Sequence, residues 1–283
     1  MNYQMQARLT KRFNRLLGYT ILIVVAILIT IPIASLLVTS IKQDSEYNAY
    51  PIRILPKVAQ WVNYVRVFTI TPFVQVAWRT FLLGFTVALL TTVTSSMGGY
   101  AFARFRVAGS GKLFSIIIAL LIVPEIVLLI PQFILFARLH LTNTYWPWIL
   151  GALGGSPFYI FMFRQFFLSF PRELEEAAEV DGCGPFRIFL QIFLPNAKPV
   201  LATVMIFCFG GVWGDYLRPL IYLSESNTLL GVKMAKAFVN PQGVTLNTVS
   251  MAANVIYILP LIVLFFLAQK HILRGVVTSG LKG

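Results

Sequence analysis

Charged side chains are scarce in this sequence, and acidic ones are the scarcest. Only 12% of the 283 residues are charged, with ten acidic residues against 23 lysines and arginines, while 58% are hydrophobic. Soluble domains carry about 25% charged residues. The deficit excludes an ordinary soluble protein and indicates a chain whose solvent is mainly lipid.

Cysteine and histidine are nearly absent, with two residues of each. Cys183 falls in a polar segment and Cys208 in an apolar run, so we expect no disulfide framework. His140 and His271 fall on opposite sides of the predicted membrane, and no HExxH or CxxC motif occurs, so we expect no metal site. The net charge of +13 would suit nucleic acid, but the basic residues lie beside apolar runs, which favours the membrane surface.

A phosphate-binding loop is also missing. The segment RVAGSGKL resembles one, but Arg106 occupies the first glycine position of the GxxxxGK[ST] pattern and Leu113 occupies its Ser/Thr position. We therefore expect a basic turn at this point and no cofactor bound by this chain.

Long apolar runs account for most of the chain. Since a transmembrane helix needs about 20 apolar residues, these runs predict an all-α integral membrane protein with one domain over residues 1–283. The six predicted spans cover about 16–41, 78–102, 113–137, 145–163, 200–223 and 246–268. The first run is longer than the apolar core of about 7 to 15 residues in a cleavable signal peptide, so we expect a membrane span there.

The distribution of basic residues predicts the orientation. Six spans place both termini on one side, and that side carries most of the basic residues in short segments: Arg8, Lys11, Arg12, Arg15, Arg104, Arg106, Lys112, Arg164, Arg172, Arg187, Lys198, Lys270, Arg274 and Lys282. Because positive charge in short loops marks the cytoplasmic side, we expect both termini in the cytoplasm.

The longest polar interruption is residues 170–199, FPRELEEAAEVDGCGPFRIFLQIFLPNAKP, which we call the elbow. Pro171, with glutamates behind it, suits the first turn of a helix. Gly182 and Gly184 suit the end of that helix, and Pro185 suits the start of the next. The pattern predicts a cytoplasmic helix–turn–helix. We expect three phenylalanines to anchor its second helix to the bundle: Phe186, Phe189 and Phe193.

The elbow resembles a known signature. Glu176-Ala177-Ala178, then Gly182 after three residues, and Ile192 and Leu194-Pro195 after nine more, resemble the EAA loop of ABC importer permeases. A surface amphipathic helix that begins with glutamates is the alternative. The resemblance implies docking on a separate ATPase subunit through these residues: Glu176, Ala177, Ala178, Asp181, Gly182, Ile192, Leu194 and Pro195.

Other stretches resemble the smaller permease of maltose-type carbohydrate importers. These are SPF at 156–158, RQFF at 164–167, WGDYLRPL at 213–220 and the ending LRGVVTSGLKG. Arg218 stands where that family usually has tryptophan, which leaves its role open. The resemblance implies that the tail reaches the ATPase interface through Gly280, Lys282 and Gly283, whereas a frayed basic tail is the alternative.

The resemblance also implies the assembly and the function. It implies a permease subunit, not an enzyme, in the cytoplasmic membrane of a bacterium or archaeon, surrounded by lipid and without nucleic acid. The implied partners are two ATP-binding subunits that hold ATP and Mg, a second homologous permease and an extracytoplasmic solute-binding protein. The implied solute is an oligosaccharide or sugar derivative, and a glycerol phosphate is the alternative. A secondary transporter would need inverted repeats, and a membrane enzyme would need clustered His, Asp or Ser; we find neither pattern in the sequence.

Charges inside the predicted spans need a separate explanation, because each costs at least about 2.5–3.5 kcal/mol at mid-bilayer. Glu125 follows Pro124 in the third span, and Asp215 lies three residues before Arg218 in the fifth, so the last two can pair. In one interpretation Glu125 and Asp215 line the translocation path. In the other, Glu125 bonds backbone groups freed by the proline, and Asp215 and Arg218 pair near the outer interface.

Overall fold

The described part of the chain is almost entirely helical. The structure is a computed structural model that describes the backbone of residues 2–236, 238–240 and 242–280, and the side chains of 12–236, 238–240, 242–267 and 269. Within these ranges the only β pairing is one antiparallel bridge between Val239 and Thr245. The chain divides into two compact units, residues 1–72 with 237–258 and residues 73–236 with 259–283. The helical content of the described residues confirms the predicted all-α fold class.

The first unit is organised around the end of its long apolar helix. Its helices are α1 (Asn2–Ser40), α2 (Asp44–Tyr47), α3 (Val62–Ile70) and the first part of α15, which spans Asn247–Gly280. Residues 12–35 of α1 are all exposed, as expected for a surface that faces lipid. The buried amide of Asn63 donates to the carbonyls of Ser40 and Lys42 at 2.9 and 2.8 Å. It satisfies carbonyls that the end of α1 leaves without helical partners.

The second unit contains the elbow and most of the remaining helices. They are α4 (Phe73–Arg104), α5 (Ser110–Leu120), α6 (Glu125–Arg138), α7 (Trp146–Leu153), α8 (Pro157–Leu168), α9 (Glu173–Val180), α10 (Pro185–Ile188), α11 (Leu194–Asn196), α12 (Lys198–Trp213), α13 (Leu217–Tyr222) and α14 (Leu230–Ala235). A π-helical turn, Phe189–Phe193, joins α10 to α11.

Helix α4 forms the centre of the second unit and packs against α7, α8 and α12. Small residues permit this packing, as is common between membrane helices. A Cβ atom on Gly99 would lie 2.4 Å from Phe163 Cβ and 2.9 Å from the backbone nitrogen of Arg164, and one on Gly84 would lie 3.1 Å from the Phe209 ring. Glycine therefore sets how closely α8 and α12 approach α4.

Three described helices are long and apolar enough to cross a membrane: Arg12–Ser40, Phe73–Arg104 and Asn247–Leu267. Up to five spans result if each of two bent pairs counts as one, namely Ser110–Leu120 with Glu125–Arg138, bent by 97°, and Pro185–Asn196 with Lys198–Trp213, bent by 81°. The first, second and sixth predicted spans thus correspond to continuous helices. The count of six stays a prediction.

The predicted boundaries of the other spans differ from the structure where the chain breaks. The third span bends between α5 and α6, just before Glu125. The fourth, predicted over 145–163, is two helices separated at Gly154–Ser156, where Gly155 has φ +70° and Pro157 starts α8. The fifth, predicted over 200–223, breaks between Trp213 and Leu217. Apolar composition cannot reveal such breaks, because the residues on both sides are equally hydrophobic.

The contact at Gly99 makes a first prediction. We expect Gly99→Ala to cost about 1–3 kcal/mol, the usual cost of overpacking, because the new methyl meets the backbone of α8 as well as a side chain. Thermal unfolding of the detergent-purified protein measures this. The neighbouring Gly98→Ala is the control, since its Cβ would meet only Ile160, at 3.4 Å. Equal melting temperatures for the two variants would contradict the packing explanation.

Candidate coupling elbow and charged cluster

The first helix of the elbow, α9, begins slightly later than predicted. Arg172 is the residue that precedes it, and the Arg172 carbonyl accepts bonds from the amides of Glu175 and Glu176 at 2.9 and 3.0 Å. Pro171 therefore lies before the helix rather than in its first turn. The predicted acidic first turn is present, with Glu173, Glu175 and Glu176 at the positive end of the helix dipole.

A glycine turn ends α9 where the sequence predicts. The amide of Cys183 donates to the Ala178 carbonyl at 2.9 Å, and the amide of Gly182 donates to the Glu179 carbonyl at 3.0 Å. This pair of bonds is a Schellman motif, which requires a left-handed residue between helix and loop. Gly182 supplies it with φ +79°. Gly184 and Pro185 then open α10 as predicted.

The second helix of the elbow is deformed by Pro195. Proline has no N–H to donate, and its ring clashes with the carbonyl four residues earlier in a regular α-helix. The amide of Leu194, the residue before it, donates to the carbonyl of Phe189, five residues earlier. The resulting π-helical turn places Phe189 and Phe193 in the core, 4% and 0% exposed. These two anchors are as predicted. Phe186 is not an anchor, because it is 63% exposed.

Arg104, at the end of α4, connects the elbow to the membrane helices. Its Nη2 donates to the carbonyls of Phe167 and Phe170 at 2.7 and 2.9 Å. Its Nη1 lies 3.5 Å from a carboxylate oxygen of Glu175, and its guanidinium lies 4.7 Å from the centre of the Phe193 ring. One side chain, 5% exposed, thus contacts the end of α8, α9 and the π-helical turn.

Tyr100, one turn before Arg104, makes a second connection. Its hydroxyl donates to the Pro185 carbonyl at 3.2 Å, and its ring packs on Phe189 and Phe193 with centroids 5.2 and 4.9 Å away. The sequence predicts neither contact. In it, Arg104 is only a basic residue that marks the cytoplasmic side, and Tyr100 is not distinguished from the many other aromatic residues. An arginine that ends a membrane helix just before a basic turn was the available signal.

Burial outweighs charge pairing at Glu175. Desolvation raises the pKa of this carboxyl, while Arg104 beside it acts to lower the pKa. The net shift is upward. The ion pair with Arg104 therefore does not fully offset the cost of burying the Glu175 carboxylate.

The outer face of the elbow contains only part of the predicted contact set. Glu176, Ala177, Asp181, Gly182 and Pro195 are exposed. The other three predicted residues pack against the elbow's own core: Ala178, which is buried, and Ile192 and Leu194, which are half-buried. Their side chains shape the elbow from within. Val180 and Phe186 are the most exposed large apolar residues of the elbow, at 88% and 63%.

The charges in the predicted spans meet in one cluster. The Arg218 guanidinium donates to Glu125 Oε1 and lies 3.5 Å from Asp215 Oδ2. The predicted Asp215–Arg218 pair is therefore present, and Glu125 joins it rather than bonding freed backbone. Glu125 lies directly after the 97° bend between α5 and α6, Asp215 lies in the break between α12 and α13, and Arg218 lies in the first turn of α13.

The three side chains differ in how firmly they are held. Asp215 is 10% exposed and also accepts bonds from Trp148 Nε1 at 3.0 Å and from the Arg218 amide at 3.3 Å. Its loop is closely covered, because a Cβ on Gly231 would lie 2.5 Å from the Asp215 carbonyl oxygen. Glu125 is 76% exposed, and Arg218 is the partner the structure gives it. Asp215 is thus held by several contacts, whereas Glu125 is mostly exposed and contacts Arg218.

The predicted tail contacts lie at the end of the described residues or beyond it. Gly280 ends α15 in its part without described side chains, and Lys282 and Gly283 lie outside the described residues. Among the described residues no group of three His, Cys, Asp or Glu side chains is placed to hold a metal ion.

Long apolar helices joined by a polar elbow indicate an integral membrane protein, and similar proteins are transport permeases. The chain is 32% identical to the arabinooligosaccharide permease AraQ of Bacillus subtilis, over 91% of this chain and 92% of that one. It is 29% identical to the maltodextrin permease MdxG of Bacillus subtilis, over 99% and 100%, and 29% identical to the sn-glycerol-3-phosphate permease UgpE of Yersinia pestis, over 92% and 95%.

A solved structure shares the fold. A chain of a bacterial ABC transporter involved in the import of the acidic polysaccharide alginate superposes with a TM-score of 0.78 at 23% identity, covering 93% of this chain and 98% of that one. The sequence profile of the binding-protein-dependent transport system inner membrane component family matches residues 95–278. The chain belongs to this family. It is an ABC importer permease, a multi-pass inner-membrane subunit that transports rather than catalyses and works with an ATPase and a binding protein.

The glycine turn makes a second prediction. Gly182→Ala forces an L-residue into the left-handed region, at a cost of about 1–2 kcal/mol, so we expect faster amide hydrogen exchange in α9. Gly184→Ala is a matched control, because Gly184 has φ −73° and both positions have open space around a new Cβ. Similar exchange in the two variants would show that the turn conformation does not stabilise the elbow.

The contacts of Arg104 make a third prediction, an asymmetry within one ion pair. Arg104→Met removes the donor from two carbonyls and should cost about 1–3 kcal/mol. Glu175→Gln keeps the shape of the side chain and leaves both carbonyl contacts of Arg104 in place, so we expect a cost below about 1 kcal/mol. Limited proteolysis of the elbow and thermal unfolding measure both. A larger loss from Glu175→Gln would refute the dominance of the carbonyl contacts.

Proposed function

We propose that this chain is one of two homologous permeases in an importer of neutral oligosaccharides or sugar derivatives. The observation that carries the proposal is its similarity, over more than nine-tenths of its length, to permeases named for arabinooligosaccharides and maltodextrin. An extracytoplasmic binding protein delivers the solute. Two ATP-binding subunits, which hold ATP and Mg, drive the cycle, and this chain binds no cofactor itself.

The elbow transmits the motion of the ATPase. Its outer face offers exposed Glu176 and Asp181 beside exposed Val180, a mixture of charge and apolar surface suited to a protein groove. Its inner face is fixed to α4 through Arg104 and Tyr100. A push on the outer face therefore reaches a membrane helix through hydrogen bonds and packed rings rather than through a loose loop.

The orientation follows from the same role. The elbow faces the cytoplasm, where ATP is found, which places both termini there in a six-span arrangement of a bacterial or archaeal membrane. The tail residues Gly280, Lys282 and Gly283 then lie on the same side as the ATPase subunits and contact them.

The charged cluster lies on the translocation path. Ionisable side chains within a membrane face the protein interior or a water-filled cavity, and Glu125 is 76% exposed in this isolated subunit. A Glu125 side chain exposed to lipid would be costly. Its exposed side therefore faces the water-filled path between the two permeases, where Glu125 and Asp215 meet solute hydroxyls.

A glycerol phosphate is the second candidate, because UgpE is 29% identical to this chain. The cluster argues against it. Two carboxylates surround one guanidinium, so their formal charge is net negative and would repel a phosphate group. A neutral saccharide meets no such barrier.

Reconstitution of the complete transporter tests the solute. We expect ATP-dependent uptake of an arabinooligosaccharide or a maltodextrin into proteoliposomes that contain the cognate binding protein. Glycerol 3-phosphate should not accumulate. Uptake of glycerol 3-phosphate without uptake of either saccharide would favour the second candidate and refute the first.

The elbow makes a separate prediction about coupling. Glu176→Lys reverses the charge of an exposed residue in the predicted contact set, so we expect normal membrane insertion but at least a tenfold loss of solute-stimulated ATP hydrolysis. Glu173→Lys, in the same helical turn but outside the predicted set, is the control and should retain most of the activity. Full coupled activity in the Glu176 variant would refute docking through this face.

A further inference from the structure

We propose that Glu125 is a charge filter: by occupying Arg218 it denies anionic solutes their one cationic partner in the cluster and makes the path selective for neutral saccharides. The inference rests on the proposed function and deepens it, because it assigns a role in specificity to the Glu125–Arg218 contact. It also explains an arginine at a position where the sequence pattern left its role open.

The first step concerns what Arg218 would do by itself. A guanidinium binds carboxylates and phosphates through two parallel hydrogen bonds. The Arg218 side chain is 38% exposed and that of Glu125 is 76% exposed, so part of this ion pair is accessible in the isolated subunit. Without Glu125, this side chain would be a receptor for the carboxylate of a uronic acid sugar.

The second step concerns how the two carboxylates share Arg218. Asp215 contacts Nε, while Glu125 contacts Nη2. Asp215 is tied to Trp148 Nε1 and to the Arg218 amide, and its loop is covered by Gly231. Asp215 therefore holds Arg218 from the protein side. Glu125 occupies Nη2, one of the two terminal nitrogens, so an anion that binds the guanidinium through two parallel hydrogen bonds must compete with it.

The third step concerns charge. With Glu125 ionised the three groups carry a formal charge of −1, and an anionic sugar must both displace Glu125 and approach this excess. With glutamine at position 125 the formal charge is zero and Arg218 has lost its anionic cap. A neutral sugar needs only hydroxyl contacts, which a glutamine amide also offers. Specificity thus comes from repulsion of the wrong solute as much as from attraction of the right one.

The test measures binding directly, because the binding protein imposes its own selection during uptake. The complete transporter in nanodiscs, without the binding protein, is equilibrated at pH 7 with labelled maltotriose or arabinotriose and with labelled trigalacturonate. We expect Glu125→Gln to raise the affinity for trigalacturonate about tenfold relative to that for the neutral trisaccharide, so the ratio of the two affinities is the readout. Glu125→Ala should act in the same direction, which covers the case in which one variant assembles poorly.

Two further variants separate the filter from a general effect of charge. Adding Arg218→Gln to Glu125→Gln should abolish the gain, because the cation that binds the uronate is gone. Glu225→Gln removes the same charge from an exposed residue paired with Lys233 and Lys236, and should leave the ratio unchanged. Glu125→Asp retains the carboxylate and should keep most of the wild-type selectivity.

The outcomes distinguish the two proposals. Binding of the neutral trisaccharide with an unchanged ratio in both Glu125 variants would overturn the filter and leave the carbohydrate function intact. A gain that survives Arg218→Gln, or that Glu225→Gln reproduces, would also overturn it. Failure of both neutral trisaccharides to bind the assembled wild-type transporter would overturn the carbohydrate function and the filter with it.

Discussion

The guanidinium of Arg104 is the contact on which the elbow depends. It bonds two carbonyls at the end of α8, lies beside Glu175 in α9 and covers the ring of Phe193 in the π-helical turn. A buried arginine needs acceptors for its donors. Two carbonyls at the end of α8 accept from Nη2, the Glu175 carboxylate lies 3.5 Å from Nη1, and the buried Nε has no hydrogen-bond partner among the described residues. The same contacts that satisfy the charge therefore fix the position of the elbow relative to α4, which is what a transmitting lever requires.

Breaks in the apolar helices create the second site. Backbone within a membrane must be bonded internally, so interruptions are tolerated where the protein or a water-filled cavity surrounds them. Two such breaks, before Glu125 and between α12 and α13, bring three ionisable side chains together. The pairing lowers the cost of each charge, and the two carboxylates are held unequally. The charged cluster and the elbow thus lie in different parts of the second unit.

The elbow also shows how a motif serves two purposes. Its exposed members, such as Glu176 and Asp181, form the outer face, whereas Ala178 is buried against the segment's own core. The alanine is small because α9 lies close to the phenylalanines beneath it. The residues of the motif therefore fall into two groups: some are exposed on the elbow surface, and others pack in its core.

The sequence by itself determined the membrane class, the helical fold, the elbow with its turn at Gly182 and the Asp215–Arg218 pair, because hydrophobic runs, glycine conformation and helical spacing are local properties. Tertiary structure alone decided that Arg104 and Tyr100 hold the elbow, that Phe186 points outward and that Glu125 reaches Arg218, 93 residues away in the chain. These facts depend on which segments meet after the helices bend. Proline and glycine mark positions where a helix can bend, but the direction of the bend depends on how α4 packs against its neighbours.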